Sequence, residues 1–238
     1  MSGSVTRTLR DSRPLIHEGG RTCAGLSWQA LEWLEDRVAP GMRTLETGAG
    51  LSTVVFAASG ARHTAVTPEA REEAAVRAVC RGLGIAEEGL DFVIGRSEEV
   101  LPGLSESRLD LVLVDGAHGF PYAILDWWQL ARRLRLGGTM LLDDAYLPPV
   151  LAILDGLRGV PSWRVEGAIG DRTVLVRKLA DELPPGVWPG GPFGGRQSFR
   201  YLPVRRRLVA STRHRMLSTR FGELAAGARR TLRSRRRS

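Results

Sequence analysis

Apolar and polar positions follow two rhythms along this chain. Trp28, Leu31, Trp33, Leu34 and Val38 recur at helical spacing behind Ser27, a residue suited to cap a helix, and Pro40-Gly41 ends the run. Beyond it, short apolar segments of strand length take turns with helical ones. Strands are expected at 42–47, 62–66, 91–94, 109–114, 138–142, 163–166 and 173–177. Helices are expected from Ser52 to Ala58, from about Pro68 to Leu83 and from Tyr122 to Leu134. The segment 109–114 is almost unbroken in its apolar character, as in a parallel strand covered on both faces. Five strands alternating with helices predict an α/β, doubly wound, mostly parallel sheet. The last two strands are separated only by 167–172, so they should close a seven-stranded sheet as an antiparallel hairpin.

Composition divides the chain further. Residues 1–24 read as a loose leader, because Met1 to Pro14 is polar, carries Arg7, Arg10 and Arg13, and lacks the apolar stretch of a secretory signal. The domain proper is expected over 25–180, a Pro/Gly-rich linker over 181–197 and a basic, partly helical tail over 198–238. From Arg196 onward there are 14 arginines and one acid, Glu223, so a tail of +13 follows a remainder of −5. Lys178 is the one lysine in the sequence. A solvated end is the favoured reading of the tail. Contact with nucleic-acid phosphates or with an anionic membrane surface stands beside it. No apolar run approaches the roughly 18 residues of a membrane span. Two cysteines, Cys23 and Cys80, without metal-ligand spacing, point to inert thiols in a reducing, cytoplasmic setting.

Three constellations carry candidate chemistry. The first is Leu45-Glu46-Thr47-Gly48-Ala49-Gly50-Leu51-Ser52, a strand running through a glycine turn into a helix. Glycines there permit a tight turn and close approach of a ligand to the backbone. Thr53 stands where a nicotinamide-type fingerprint has its third glycine, and Glu46 is unfavourable to a pyrophosphate. The second is Ser97-Glu98-Glu99 after the third strand, readable as a helix cap, as a ligand contact, or as both. The third joins Val114-Asp115-Gly116-Ala117-His118 with Leu142-Asp143-Asp144, at the ends of neighbouring strands. Clustered carboxylates suit a solvated cleft or a hard cation such as Mg²⁺. His118 suits proton transfer near neutral pH.

Over about 43–149 the chain resembles class I methyltransferases with a Rossmann-like sheet, and most of all the metal-dependent O-methyltransferases of the catechol type. The resemblance implies S-adenosylmethionine as cofactor, with Glu46, Gly48 and Gly50 at its methionine end, Ser52 and Thr67 among its contacts, and Ser97 and Glu98 at its adenine. It implies metal ligands at Asp115, Asp143 and Asp144, and a proton acceptor at His118, with Asp115 and His118 as the catalytic pair. The acid that many members place at the end of the second strand, for the ribose, is Thr67 here, with Glu69 one turn on. The expected activity is methylation of a small-molecule hydroxyl with divalent-metal assistance. The alternatives are a nucleic-acid methyltransferase anchored by the tail, or a non-catalytic module of the same fold.

Overall fold

The computed structural model describes residues 4–17 and 25–181. The expected linker beyond Asp181, the tail and Cys23 lie outside the described residues. In chain order the elements are α1 (Val5–Ser12), α2 (Trp28–Arg37), β1 (Arg43–Thr47), α3 (Leu51–Ala58), β2 (Arg62–Thr67), α4 (Ala70–Gly82), β3 (Leu90–Ile94) and α5 (Ser97–Val100). A 3₁₀ turn at Leu101–Gly103 leads to β4 (Leu109–Val114), α6 (Tyr122–Arg133), β5 (Leu134–Leu142), α7 (Pro148–Leu157), β6 (Trp163–Ile169) and β7 (Thr173–Lys178). The seven strands form one sheet in the order β3-β2-β1-β4-β5-β7-β6. The first five run parallel, and β7 pairs antiparallel with both β5 and β6. This is the doubly wound sheet with its closing hairpin that the sequence pattern predicts.

Alternation along the central strands feeds two cores. Leu109, Val112 and Val114 of β4 face α6 and α7, whereas Leu111 and Leu113 face α1, α2, α3 and α4. Each fully buried aliphatic side chain contributes about 1.5–3 kcal/mol, so a strand apolar on both faces is strongly held in register. Trp127 enters the first core, whereas Trp128 remains partly exposed with Arg132 over its ring. Lys178 is buried and donates to the carbonyls of Ala131 and Leu134, closing the C-terminal end of α6.

The leader is less loose than its composition predicts. Leu9 and Ile16 are buried in the second core, and Glu35 of α2 accepts hydrogen bonds from Ser4 Oγ and from the Val5 and Thr6 amides. One carboxylate thereby satisfies two of the free N–H groups at the start of α1, and Ser4 Oγ accepts from the next, that of Arg7. A second helix absent from the sequence expectation, α7, starts on Pro148-Pro149 and buries Val150, Ile153, Leu154 and Leu157. Among the described residues no helix is long and apolar enough to cross a membrane.

Candidate functional site

Strand order reverses between β1 and β4, and a crevice opens there at the carboxyl ends of the strands. It holds a cavity of about 720 Å³ whose wall runs from Gly48–Ser52, past Thr67, Glu69 and Glu72, to Ser97–Glu98 and Asp115–His118, with Arg172 at one side.

The glycine turn is shaped by its neighbours. Gly48 has φ +94°, and a Cβ there would lie 2.6 Å from the Asp115 carbonyl oxygen. A Cβ on Gly50 would lie 2.7 Å from His17 Nε2. A side chain at Gly48 therefore forces a shift of the backbone, whereas one at Gly50 has only to displace the His17 ring. Glu46 does not line the cavity. It is buried behind the turn, where it accepts from Ser52 Oγ at 2.6 Å and from Thr53 Oγ1, and meets His63 Nε2 at 3.0 Å. His63 Nδ1 in turn meets Thr44 Oγ1 at 2.8 Å, and its ring stacks on Phe56. Glu46 thus anchors the start of α3 and leaves the ligand-facing side of the turn to backbone amides.

At the end of β2, Thr67 lines the cavity, but its hydroxyl donates to Glu72 Oε2 at 2.6 Å and accepts from the Glu69 amide. Glu72, in the first turn of α4, also lines the cavity, and its Oε1 lies 2.8 Å from His17 Nδ1. Burial alone would raise the Glu72 carboxyl, but the hydrogen bonds from His17 and Thr67 outweigh it and hold it below its ordinary value. His17 Nε2 is buried at the cavity wall with no hydrogen-bond partner among the described residues.

Ser97 is the first residue of α5 rather than its cap, since Arg96 holds the cap position. Ser97 and Glu98 both line the cavity, and Arg96 Nε donates to Glu98 at 2.7 Å. Behind them lies Asp126 of α6, fully buried. Desolvation pushes its carboxyl up to about 6, against the opposing pull of the Ser97 and Thr47 hydroxyls.

The three acids expected to bind a metal do come together, but around an arginine. Arg172, in the β6–β7 turn, donates from Nε to Asp143 Oδ2 at 2.9 Å and from Nη2 to the same oxygen. Its Nε also lies 3.2 Å from Asp144 Oδ1. The other Asp143 oxygen accepts from Thr173 Oγ1 at 2.6 Å. Burial raises the Asp143 carboxyl, but these donors more than reverse that and hold it below its ordinary value. Burial, then the Asp143 charge beside it, push Asp115 well above the carboxylate range. Donors saturate Asp143 and a cation already lies between the carboxylates, so the set does not fit a divalent metal. Among the described residues no group of acidic, His or Cys side chains is arranged to hold one. The expectation of metal ligands at Asp115, Asp143 and Asp144 is corrected accordingly. His118 sits at the same end of the cavity, its Nε2 3.2 Å from Asp144 Oδ2 and 3.6 Å from Asp115 Oδ1.

Four residues of this site escaped the sequence reading. Arg172 and His17 come from a turn and a leader with no motif. Glu72 becomes visible only once α4 is folded over Thr67. Asp126 did carry a signal, because it occupies the apolar stripe of Ala123, Trp127 and Leu130 at helical spacing.

Comparison with known proteins agrees with this geometry. A methyltransferase domain family model matches residues 45–145. Among solved structures, the O-methyltransferase TomG from Streptomyces achromogenes, in complex with SAM, aligns over 75% of this chain and 92% of its own at 18% identity and a TM-score of 0.58. A candidate O-methyltransferase from Klebsiella pneumoniae aligns over 76% and 92% at 16% identity and 0.62. A methyltransferase from Geobacter sulfurreducens aligns over 76% and 92% at 12% identity and 0.55. At such identities the likeness establishes the fold. No curated protein matches the chain.

Proposed function

We propose that this chain, in which residues 45–145 match a methyltransferase domain model, transfers the methyl group of S-adenosylmethionine to the hydroxyl of a small molecule. The observation that carries the reading is one continuous cavity joining the glycine turn to His118. The cofactor fits two features of its wall. Gly48 leaves no room for a side chain and Gly50 carries none, so a ligand can lie against the backbone. The start of α3 offers backbone N–H groups to the methionine carboxylate. Glu72, rather than Thr67 or Glu69, is the acid placed to accept from the ribose hydroxyls, with Thr67 and His17 orienting it. Ser97 and Glu98 form the adenine end.

Bound there, S-adenosylmethionine supplies an electrophilic methyl on a sulfonium. The protein contributes alignment, exclusion of water and a proton acceptor. His118 Nε2 lies 3.2 Å from Asp144 Oδ2, and Nδ1 is the nitrogen assigned to the acceptor hydroxyl. Asp144 is the positioning residue for that base, and Asp115 closes the same wall. Burial pushes the Cys80 thiol up to about 11 and keeps it unreactive.

Transfer of a labelled methyl group to a panel of hydroxylated small molecules tests this reading. The expected result is label in one acceptor class. His118→Ala should lower kcat by about 10²-fold or more. Glu72→Gln should raise KM for the cofactor about tenfold with kcat nearly unchanged. The basic tail favours a second reading, methylation of nucleic acid, which label entering RNA or DNA would support at the expense of the first.

A further inference from the structure

We infer that Arg172 is a built-in cation that takes the place of a divalent metal between Asp143 and Asp144, and that removing its guanidinium would free these carboxylates to rearrange around a divalent cation. The meaning of this for catalysis rests on the methyltransferase reading, but the geometry does not.

Three observations carry the inference. Arg172 binds Asp143 through two nitrogens and lies within ion-pair distance of Asp144, so its charge faces both of the carboxylates that would otherwise demand a metal. The arginine is held from behind, because its carbonyl accepts from the Ala145 amide at 2.8 Å, tying the hairpin turn to the segment just after Asp144. Thr173 completes Asp143 from the next position in the chain. Adjacent residues of one turn thereby saturate the same carboxylate. A guanidinium is permanently charged, and its planar fork matches carboxylate geometry. A divalent ion entering the cluster would meet that positive charge at close range and would have to displace two hydrogen bonds on Asp143.

The arrangement also explains how Asp144 orients His118. One Asp144 oxygen faces Arg172 Nε and the other faces His118 Nε2. The Asp144 carboxylate lies between the guanidinium and the imidazole, at 3.2 Å from each. Arg172 is thus a positioning residue for the proposed base.

Mn²⁺ added to the full-length protein is the probe, followed by the loss of the free Mn²⁺ electron paramagnetic resonance signal and by the shift in Tm. The wild type is expected to take up no Mn²⁺ at the cluster and to show no Tm shift at millimolar Mn²⁺. Arg172→Ala is expected to gain one site of submillimolar affinity with a rise in Tm. The double variant Arg172→Ala/Asp143→Ala should lose it. Should the alanine variant fail to fold, Arg172→Gln keeps a donor on most of the stem and serves in its place, and the wild-type arm reads out regardless. Wild-type binding that Asp143→Ala abolishes would overturn the inference, and so would a folded Arg172 variant that gains no site. No arm uses methyl transfer or S-adenosylmethionine, so a failure here and a failure of the methyltransferase reading are distinct results.

Discussion

Asp126 shows how one residue can work against the stability of the domain. A fully buried carboxyl pushed up to about 6 favours the folded state only while it is protonated. Between the ordinary aspartate value and about 6, the folded protein binds a proton that the unfolded chain does not. Stability therefore falls as pH rises through that window, and the ionised form costs about 2–3 kcal/mol at neutral pH. Asp126→Asn is expected to raise stability in urea at pH 7 by up to that amount and to change it little at pH 4. An unchanged midpoint at both pH values would contradict this picture. The same residue shows what sequence can disclose at this scale. An acid at a core position of an amphipathic helix is visible in the pattern, and so are the glycine turn and the acids at the strand ends. The partners that decide each role are not. Glu46 reads as a ligand contact until Ser52, Thr53 and His63 are seen around it. Asp143 reads as a metal ligand until Arg172 arrives from 29 residues away.

Among the elements, α1 is held to the domain chiefly through Glu35 and the burial of Leu9 and Ile16. Burial works against the Glu35 charge, yet the donors of Ser4, Val5 and Thr6 lower its carboxyl below the ordinary value. Its contribution is therefore present above the unfolded glutamate value and is lost as pH falls through the folded one. Glu35→Ala is expected to cost about 1–3 kcal/mol near pH 7 and clearly less near pH 3, read from thermal or urea unfolding. Equal losses at both pH values would show that the carboxylate does not cap α1. Seven strands and the longer helices were legible because their apolar periods are long and their turns carry glycine or proline. Two helices were not. In α1 only Val5 and Leu9 mark an apolar face among arginines and threonines, and its Ser4 cap is completed by Glu35 from α2. In α7 the Pro-Pro start and the Val150-Ile153-Leu154-Leu157 stripe were there to be read, but the adjacent Tyr146–Val150 stretch looks like a loop.

For the whole molecule, the doubly wound order was predictable because parallel strands need helical crossovers and the crevice must open where that order reverses. The hairpin was predictable too, but not its consequence. Returning antiparallel beside β5, it brings Arg172 and Thr173 against Asp143 and changes the cluster from a metal site to an ion pair. The central claim is that the crevice between β1 and β4 holds S-adenosylmethionine. Calorimetric titration of the folded wild-type protein with the demethylated product, S-adenosylhomocysteine, measures this without knowledge of the acceptor. The account predicts saturable binding at one site with a Kd of about 1–100 µM, corresponding to roughly −8 to −5.5 kcal/mol. Absence of saturable heat at millimolar ligand, with the protein shown to be folded, would contradict it and leave a methyltransferase fold that does not bind the cofactor.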